Sequence, residues 1–416
     1  MKVGSSSRTR ETAATLGLII KESAAGFMRI NGFDRAAALA FYAFLSLIPI
    51  LFLEVLAVTH VARSSDAAIE LLEAMTESAT PVSVQFIVRE LFALSMRRTW
   101  GLLTVVIMLW SATPLASGVR NAFYAIFRPG KALPFWRGLL LDISAVMALL
   151  ALFGAGMIFK LALAGLVSSL PAGLVLAVGW IYRGLAFLGL PLVFFVAYRI
   201  FVPVRLRFRH LATGSVLTSC LLWAVGPMFS WILKYNPNMG LVFGSLKTIF
   251  LLFVWVYYSA IAMLFGTETM ANIVRRDVLV LGGLLSADRK HAPDILIERY
   301  AEAYAPGERI FSEDERDADA MYYVMEGSVV LTRNGAQIAA IGKGQYFGEM
   351  AMLLNGARTM SAVAGEDGAR LVVISRSNFE AILHEKPAAV LALLKEMADR
   401  LRRAETSSSP ATDRPS

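Results

Sequence analysis

The chain has 416 residues, of which 56% are hydrophobic and only 17% are charged. A soluble globular protein has about 25% charged residues, so this composition excludes a wholly soluble protein. One cysteine and four scattered histidines exclude a disulfide framework and a metal site of either residue type. The formal net charge is +8. The basic residues lie at the ends of apolar segments, as orientation signals do, so we expect no nucleic-acid partner.

The apolar residues are concentrated between residues 36 and 270, whereas residues 286–416 have the composition of a soluble domain. This split predicts a membrane domain followed by a soluble domain. Residues 1–35 contain only a short apolar run, LGLII, before charged residues resume. Such a run is too short for a cleaved signal peptide, so we expect an amphipathic N-terminus at the cytoplasmic interface.

Long apolar segments predict the architecture of the membrane domain. A transmembrane helix needs about 20 apolar residues. We therefore predict an α-helical polytopic membrane domain over residues 36–270 with about six transmembrane helices. The segments are about 36–60, 100–125, 138–164, 173–202, 211–233 and 240–268.

Lysine and arginine are unevenly distributed among the connections between these segments. They cluster before the first span, between the second and third, between the fourth and fifth, and after the sixth. The connection at 168–173 has none, and the one at 234–239 has only Lys234. Because cytoplasmic loops are enriched in these residues, we expect a multi-pass protein with both termini in the cytoplasm.

Four ionisable residues lie within the predicted spans, toward the outer half of the bilayer. One interpretation is a basic outer vestibule with an acidic counter-ion, which would attract an anionic solute or a lipid head group. The other is that each side chain extends to the nearby interface, since all are within a few turns of a span end. The four are Glu54, Lys160, Arg183 and Lys247.

Four blocks of the apolar half, in chain order, are AAALAFYAFLSLIPILFL (36–53), LWSATPLASGVRNAFYAIF (109–127), YRIFVPVRLRFRHLATGS (198–215) and GSLKTIFLLFVWVYYSAIAMLFGTE (244–268). These blocks and their order resemble the YihY/BrkB family of bacterial inner-membrane proteins. The resemblance covers about residues 15–275 and implies a six-helix fold in the bacterial inner (plasma) membrane. It implies no particular activity. No cluster of carboxylates or histidines could hold a catalytic metal, so we expect the protein not to be an enzyme.

The pattern changes after a linker at 271–291. From residue 304, short strands alternate with turn residues, which predicts a C-terminal β-roll or barrel. Asn334-Gly335 predicts a hairpin between VVLTR and QIAAI. Helices are expected to begin near Ser377 and Pro387. The polar tail at 406–416 is expected to be disordered.

Four blocks of the C-terminal part, in chain order, are APGERIFSEDE (305–315), YYVMEGSVVL (322–331), FGEMAMLLNGARTMSAVA (347–364) and LVVISRSNFEAIL (371–383). On these blocks, residues 292–405 resemble the cyclic nucleotide-binding domain of the catabolite activator protein and of kinase regulatory subunits. The resemblance implies a β-roll with flanking helices, a phosphate-binding cassette at 347–361, and a lid formed by an amphipathic helix at 388–403. It also implies a cyclic nucleotide as regulatory ligand, with cAMP favoured over cGMP.

The cassette residues have chemistry suited to this ligand. Arg358 offers a planar fork of donors for the cyclic phosphate, and Thr359 adds a hydroxyl. Glu349 is placed to accept a hydrogen bond from the ribose. Backbone N–H groups at the start of the following helix add donors. The expected nucleotide-binding residues are Gly348, Glu349, Met350, Ala351, Arg358 and Thr359.

The same residues also allow a plainer interpretation. Arg358 could be a surface arginine paired with Glu349. The chain also departs from the family pattern, with Ala357 where a proline is usual and Met360 where an alanine is usual. Either change could produce a weak or vestigial pocket.

Two functions from different classes follow from this sequence. The first is an inner-membrane transport or permeability protein regulated by a cytoplasmic cyclic nucleotide. The second is a non-transporting scaffold of the envelope whose nucleotide-like domain binds proteins. By analogy with the fold, a homo-oligomer is expected.

Overall fold

The computed structural model describes residues 5–61, 102–128, 133–167, 172–204, 206–235, 247–285, 297–316 and 318–385, with scattered positions between 391 and 402. The chain forms two compact units. One, the membrane unit, comprises Glu22–Ile273. The other, the roll unit, comprises Met1–Lys21 together with Val274–Ser416. Helix α1 (Ser5–Arg29) contributes residues to both.

Long apolar helices of 26 to 33 residues make up the described part of the membrane unit. Four of them contain windows long and apolar enough to cross a bilayer, at Gly32–Glu54, Phe135–Gly156, Phe208–Trp231 and Ile249–Val274. The prediction of a helical membrane domain is confirmed, while the number six and the orientation stay predictions. The helices are α2 (Gly32–Val61), α3 (Leu102–Phe127), α4 (Phe135–Val167), α5 (Ala172–Phe201), α6 (Phe208–Tyr235) and α7 (Lys247–Val274).

Small and aromatic side chains share the core of the membrane unit. Ala112 and Ala116 are buried on α3, and small residues of this kind let neighbouring helices approach closely. The Phe123 ring lies 5.4 Å from the Tyr198 ring between α3 and α5. These contacts bring α2, α3 and α5 together around one apolar core.

Polar contacts also join the helices of the membrane unit. Arg120 on α3 donates to both carboxylate oxygens of Asp142 on α4, at 2.8 and 3.1 Å. The Tyr198 hydroxyl is 2.6 Å from the Thr218 hydroxyl and 3.1 Å from that of Thr267. The first contact links α3 to α4, and the second links α5 to α6 and α7. Paired in this way, polar groups can be kept away from lipid.

The roll unit contains an antiparallel sheet in which β1, β6, β3 and β4 are neighbours in that order, with β2 paired to β6 and β5 paired to β3. The two long strands, β3 and β6, pair over most of their length. The structure therefore confirms the predicted roll with flanking helices. The strands are β1 (Ala301–Tyr304), β2 (Arg309–Phe311), β3 (Ala320–Arg333), β4 (Ala336–Gly342), β5 (Tyr346–Phe347) and β6 (Ser361–Ser375).

The predicted hairpin lies where the Asn334-Gly335 pair indicates. β3 and β4 are antiparallel neighbours, and Arg333 faces Ala336 at the turn. Both central residues have positive φ, 49° for Asn334 and 80° for Gly335. This combination is typical of the type I′ turn, whose twist matches that of the flanking strands.

Helices cover one side of the roll. α8 (Arg276–Leu285) packs against α10 (Arg376–Glu385), which follows β6. Leu18 of α1 belongs to the same buried cluster as Val280, Leu281 and Leu284 of α8. Part of the stretch predicted as a linker at 271–291 is therefore helical and packed on the roll. The domain boundaries themselves stay predictions.

Candidate functional site

The cassette is a short helix held between two turns. β5 leads into Gly348, whose φ of 78° caps α9 (Glu349–Leu354). Asn355, with φ of 52°, ends that helix. The Arg358 backbone N–H then donates to the Glu315 carbonyl at 2.9 Å, and the Asp314 N–H donates to the Arg358 carbonyl at 2.8 Å. These two hydrogen bonds hold the backbone of Arg358 in place.

Arg358 is buried within the roll, with only 3% of its surface exposed. Its Nη1 donates to the Gly348 carbonyl at 2.7 Å, and its Nη2 donates to the Ala320 carbonyl at 2.8 Å. The interpretation of Arg358 as an ordinary surface arginine is therefore wrong. Each of the two terminal nitrogens therefore donates to a backbone carbonyl.

One donor of this guanidinium is not satisfied. Within the part of the chain that the structure describes, the buried Nε of Arg358 has no hydrogen-bond partner. A buried donor without an acceptor is unfavourable by about 1–3 kcal/mol, and more when it is charged. Burial lowers the pKa of Arg358, while Tyr322, Glu315 and Glu349 oppose that change. An arginine stays protonated at neutral pH, so the site can accept an anion.

Two aromatic rings lie beside this guanidinium, and the expected site residues did not include them. The Arg358 Cζ lies 4.2 Å from the centroid of the Phe311 ring and 5.8 Å from that of Tyr322. Tyr322 in turn stacks on Phe347 at 5.2 Å with an interplanar angle of 17°. Phe311 and Tyr322 lie in two of the blocks that carry the family resemblance. Aromatic residues are common in strands, so their residue type alone does not mark Phe311 and Tyr322 as site residues. Only their position in those blocks could have indicated them.

The structure brings together some of the expected residues and separates others. Glu349 and Ala351 are buried at 8% and 5% exposure. A Cβ added to Gly348 would lie 2.8 Å from Arg358 Nη1, so glycine permits this close approach. The side chains of Met350 and Thr359 are exposed. Gly348, Glu349 and Arg358 thus share the interior of the cassette, while any contact by Thr359 would come from its outer face.

Of the predicted lid at 388–403, the structure describes only scattered positions. Leu391 and Leu394 are 58% and 51% exposed. Met397 packs against the cluster that also contains Val280 and Ile382. The rest of that helix lies outside the described residues, so its role as a lid stays a prediction.

The predicted vestibule can be examined at one of its four residues. Glu54 is 5% exposed near the end of the apolar window of α2. Lys160, Arg183 and Lys247 belong to α4, α5 and α7, but their side chains lie outside the described part of the chain. The vestibule therefore stays a prediction. Among the described residues, no group of three or more His, Cys, Asp or Glu could hold a metal ion.

Fold and site together define a helical membrane protein that carries a cyclic nucleotide-binding fold. A family model described as "Cyclic nucleotide-binding domain" matches residues 301–386. A second, described as "Virulence factor BrkB", matches residues 23–284. The chain belongs to the BrkB family, with the nucleotide-binding fold following its membrane domain.

Relatives match each half separately. A UPF0761 membrane protein of Aeromonas salmonicida is 33% identical over 89 residues, covering 21% of this chain and 31% of that protein. The cAMP-dependent protein kinase type II regulatory subunit of Drosophila melanogaster is 30% identical over 123 residues, covering 29% of this chain and 32% of that protein. The chain thus spans about a third of each of these two relatives.

A solved structure, the Thermus thermophilus catabolite activator protein, is 34% identical with a TM-score of 0.25. That match covers 28% of this chain and 58% of that protein.

Proposed function

We propose that the roll unit binds a cyclic nucleotide, with cAMP favoured, and that its occupancy regulates a transport or permeability function of the membrane unit. The observation that carries the proposal is the buried Nε of Arg358, which has no acceptor among the described residues. We place the protein in the bacterial inner membrane with both termini in the cytoplasm, and we assign it no enzymatic role.

The electrostatics of the cassette support a phosphate as the bound group. A cyclic phosphate carries one negative charge and several acceptor oxygens. Because Gly348 and Ala320 already orient the two terminal nitrogens of Arg358, little side-chain entropy remains to be lost on binding. A charge-assisted hydrogen bond to Nε would then stabilise the complex by about 1.5–3 kcal/mol.

The ribose and the base would make further contacts. Glu349, buried beside Gly348 at the start of α9, could accept a hydrogen bond from a ribose hydroxyl. The matched Drosophila protein is named as a regulatory subunit of a cAMP-dependent kinase, which favours cAMP over cGMP. The exposed Thr359 leaves room for either base.

Chain continuity suggests how occupancy could reach the membrane unit. The Tyr346 hydroxyl donates to the Leu284 carbonyl at the end of α8. Tyr346 is two residues before Gly348, and α8 begins two residues after α7 ends. A shift of the cassette would therefore act directly on the segment that follows the last described apolar helix. Ligand binding can shift the position of α8 only if the ligand binds one position of the cassette more tightly than another.

The test is calorimetric titration of the full chain, purified in detergent, with cAMP and with cGMP. Arg358→Lys should weaken binding by about tenfold to a hundredfold, because lysine keeps the charge but loses the planar fork. The matched control is Arg333→Lys, since the Arg333 side chain is 63% exposed. Equal affinity of both variants and the unmodified chain would contradict the pocket.

Regulation is tested separately in liposomes that contain the full chain. We expect flux of small anionic solutes, such as chloride or phosphate, to change when cAMP is added on the side of the roll. Flux that is present but insensitive to cAMP would contradict regulation by the nucleotide, although the nucleotide could still bind. No flux with any solute, together with no binding, would favour the scaffold alternative.

A further inference from the structure

Glu54 is a carboxyl group enclosed by the helices of the membrane unit. Only 5% of its surface is exposed, and its neighbours Phe52 and Leu53 are also buried. Among the described residues, neither Glu54 Oε1 nor Oε2 has a hydrogen-bond partner. A carboxyl in this position does not face lipid. The burial of Glu54 therefore does not support the interpretation that its side chain extends to the bilayer interface.

The neighbouring helix α4 places a glycine beside the Glu54 carboxyl. A Cβ added to Gly154 of α4 would lie 3.9 Å from Glu54 Oε2. One helical turn before Glu54, Ile50 lines an apolar cavity of about 300 Å³. Leu149 and Leu152 of α4 line the same cavity. The buried Ser259 hydroxyl on its wall also has no hydrogen-bond partner among the described residues.

The charged groups on the helices around α2 do not neutralise Glu54 within the described region. Arg120 is paired with Asp142. Asp142 is twelve residues before Gly154, which is about 18 Å along a helix. Lys160 is six residues beyond Gly154, and its side chain lies outside the described part of the chain. The charged residues of α3, α4 and α7 are Arg120, Arg137, Asp142, Lys160, Lys247 and Glu268.

The energetics of this environment decide which form of the carboxyl is stable. An ionised carboxylate without a partner in an apolar interior is highly unfavourable, and such groups neutralise instead. A neutral carboxylic acid loses far less on burial. Ionisable residues inside membrane domains commonly serve proton or ion pathways.

We propose that Glu54 is a proton-binding site of the membrane unit. Its carboxyl is neutral in this buried position and releases one H⁺ to water when it ionises. The bound species is the proton itself, so the site is independent of the nucleotide pocket. Proton uptake at Glu54 would make the state of the membrane unit depend on pH.

The test is labelling of the full chain in liposomes with dicyclohexylcarbodiimide, an apolar reagent that modifies protonated buried carboxyls. We expect one stable adduct, located at Glu54 by peptide mass spectrometry, with a yield that falls severalfold between about pH 6 and about pH 9. Asp142 is the internal control, because both of its carboxylate oxygens accept hydrogen bonds from Arg120. Glu54→Gln should remove the adduct, and Glu54→Asp should retain it.

Because Glu54→Gln could alter folding, the pH profile of the unmodified chain decides the question. Absence of a Glu54 adduct at about pH 6 would overturn the proposal. So would an adduct that appears only in Lys160→Gln, since that result would show an ion pair. Protection by Na⁺ at constant pH would identify a metal-cation site and would also overturn the assignment of a proton.

Discussion

The Arg358 guanidinium lies over the ring of Phe311, with 4.2 Å between Cζ and the ring centroid. A cation positioned over an aromatic face is attracted by the ring, and the attraction grows when water is excluded. Phe311 comes from β2 and Arg358 from the loop before β6, and these two strands are paired in the sheet. Phe311 therefore contacts the arginine from β2, which lies outside the cassette.

Phe311→Leu should weaken cAMP binding by about twofold to thirtyfold. The reason is the loss of a cation–π contact of about 0.5–2 kcal/mol, while the two carbonyl contacts of Arg358 remain. Calorimetric titration of the full chain measures the change. The control is Ile338→Leu, an exposed apolar position on β4. An unchanged affinity in Phe311→Leu would show that the ring does not position the arginine.

Gly348→Ala should abolish nucleotide binding. A non-glycine residue at a φ of 78° costs about 1–2 kcal/mol, and the new Cβ would also displace Arg358 Nη1. Gly335→Ala is a matched control, because Gly335 has a φ of 80° and nothing within 4 Å of an added Cβ. Thermal unfolding should fall in both variants, whereas binding should be lost in only the first. Loss of binding in both would indicate a general effect of destabilisation.

Tyr346→Phe should reduce the free energy of unfolding of the roll unit by about 1 kcal/mol or more, because the Leu284 carbonyl loses its donor. Affinity for cAMP should change little, since Tyr346 does not contact Arg358 through any hydrogen bond described. The effect of cAMP on flux should become smaller. Tyr323→Phe is the comparison, because its ring lies 5.1 Å from that of Tyr346, tilted by 43°. Identical behaviour of the two variants would argue against a role for the bond to α8.

Asp142→Asn should destabilise the membrane unit by up to about 3 kcal/mol, because it leaves the charged Arg120, whose side chain is only 17% exposed, without its ionised partner. The double variant Arg120→Gln with Asp142→Asn should recover much of this loss. Thermal unfolding in detergent, followed by tryptophan fluorescence, measures both. If the destabilisation of the double variant equalled the sum of those of Asp142→Asn and Arg120→Gln measured separately, the pair would not be coupled.

Sequence patterns predicted those parts of the protein that depend on composition and local chemistry. The apolar segments indicated the helices, and Asn334-Gly335 indicated the turn between β3 and β4. The cassette motif indicated Arg358 and Gly348 together because their spacing is set by one short helix. Each of these features is encoded within a few neighbouring residues.

Contacts between distant segments could not be predicted in the same way. Arg358 is held by Ala320, 38 residues away, and by the ring of Phe311, and no periodicity links these positions. The packing of Leu18 with Leu284 joins segments at opposite ends of the membrane domain in sequence. Burial of Glu54 also depends on α4. Its Gly154 has no side chain that would indicate a contact with Glu54. Such contacts arise from tertiary packing.

Hydrogen–deuterium exchange of the full chain with and without cAMP tests whether a cyclic nucleotide binds at Arg358. We expect slower exchange in peptides covering residues 347–361, with a smaller change in α8 through the bond between Tyr346 and Leu284. The cassette protection should disappear in Arg358→Lys and persist in Arg333→Lys. Exchange that cAMP leaves unchanged throughout the roll, or changes equally in Arg358→Lys, would contradict a nucleotide site at Arg358.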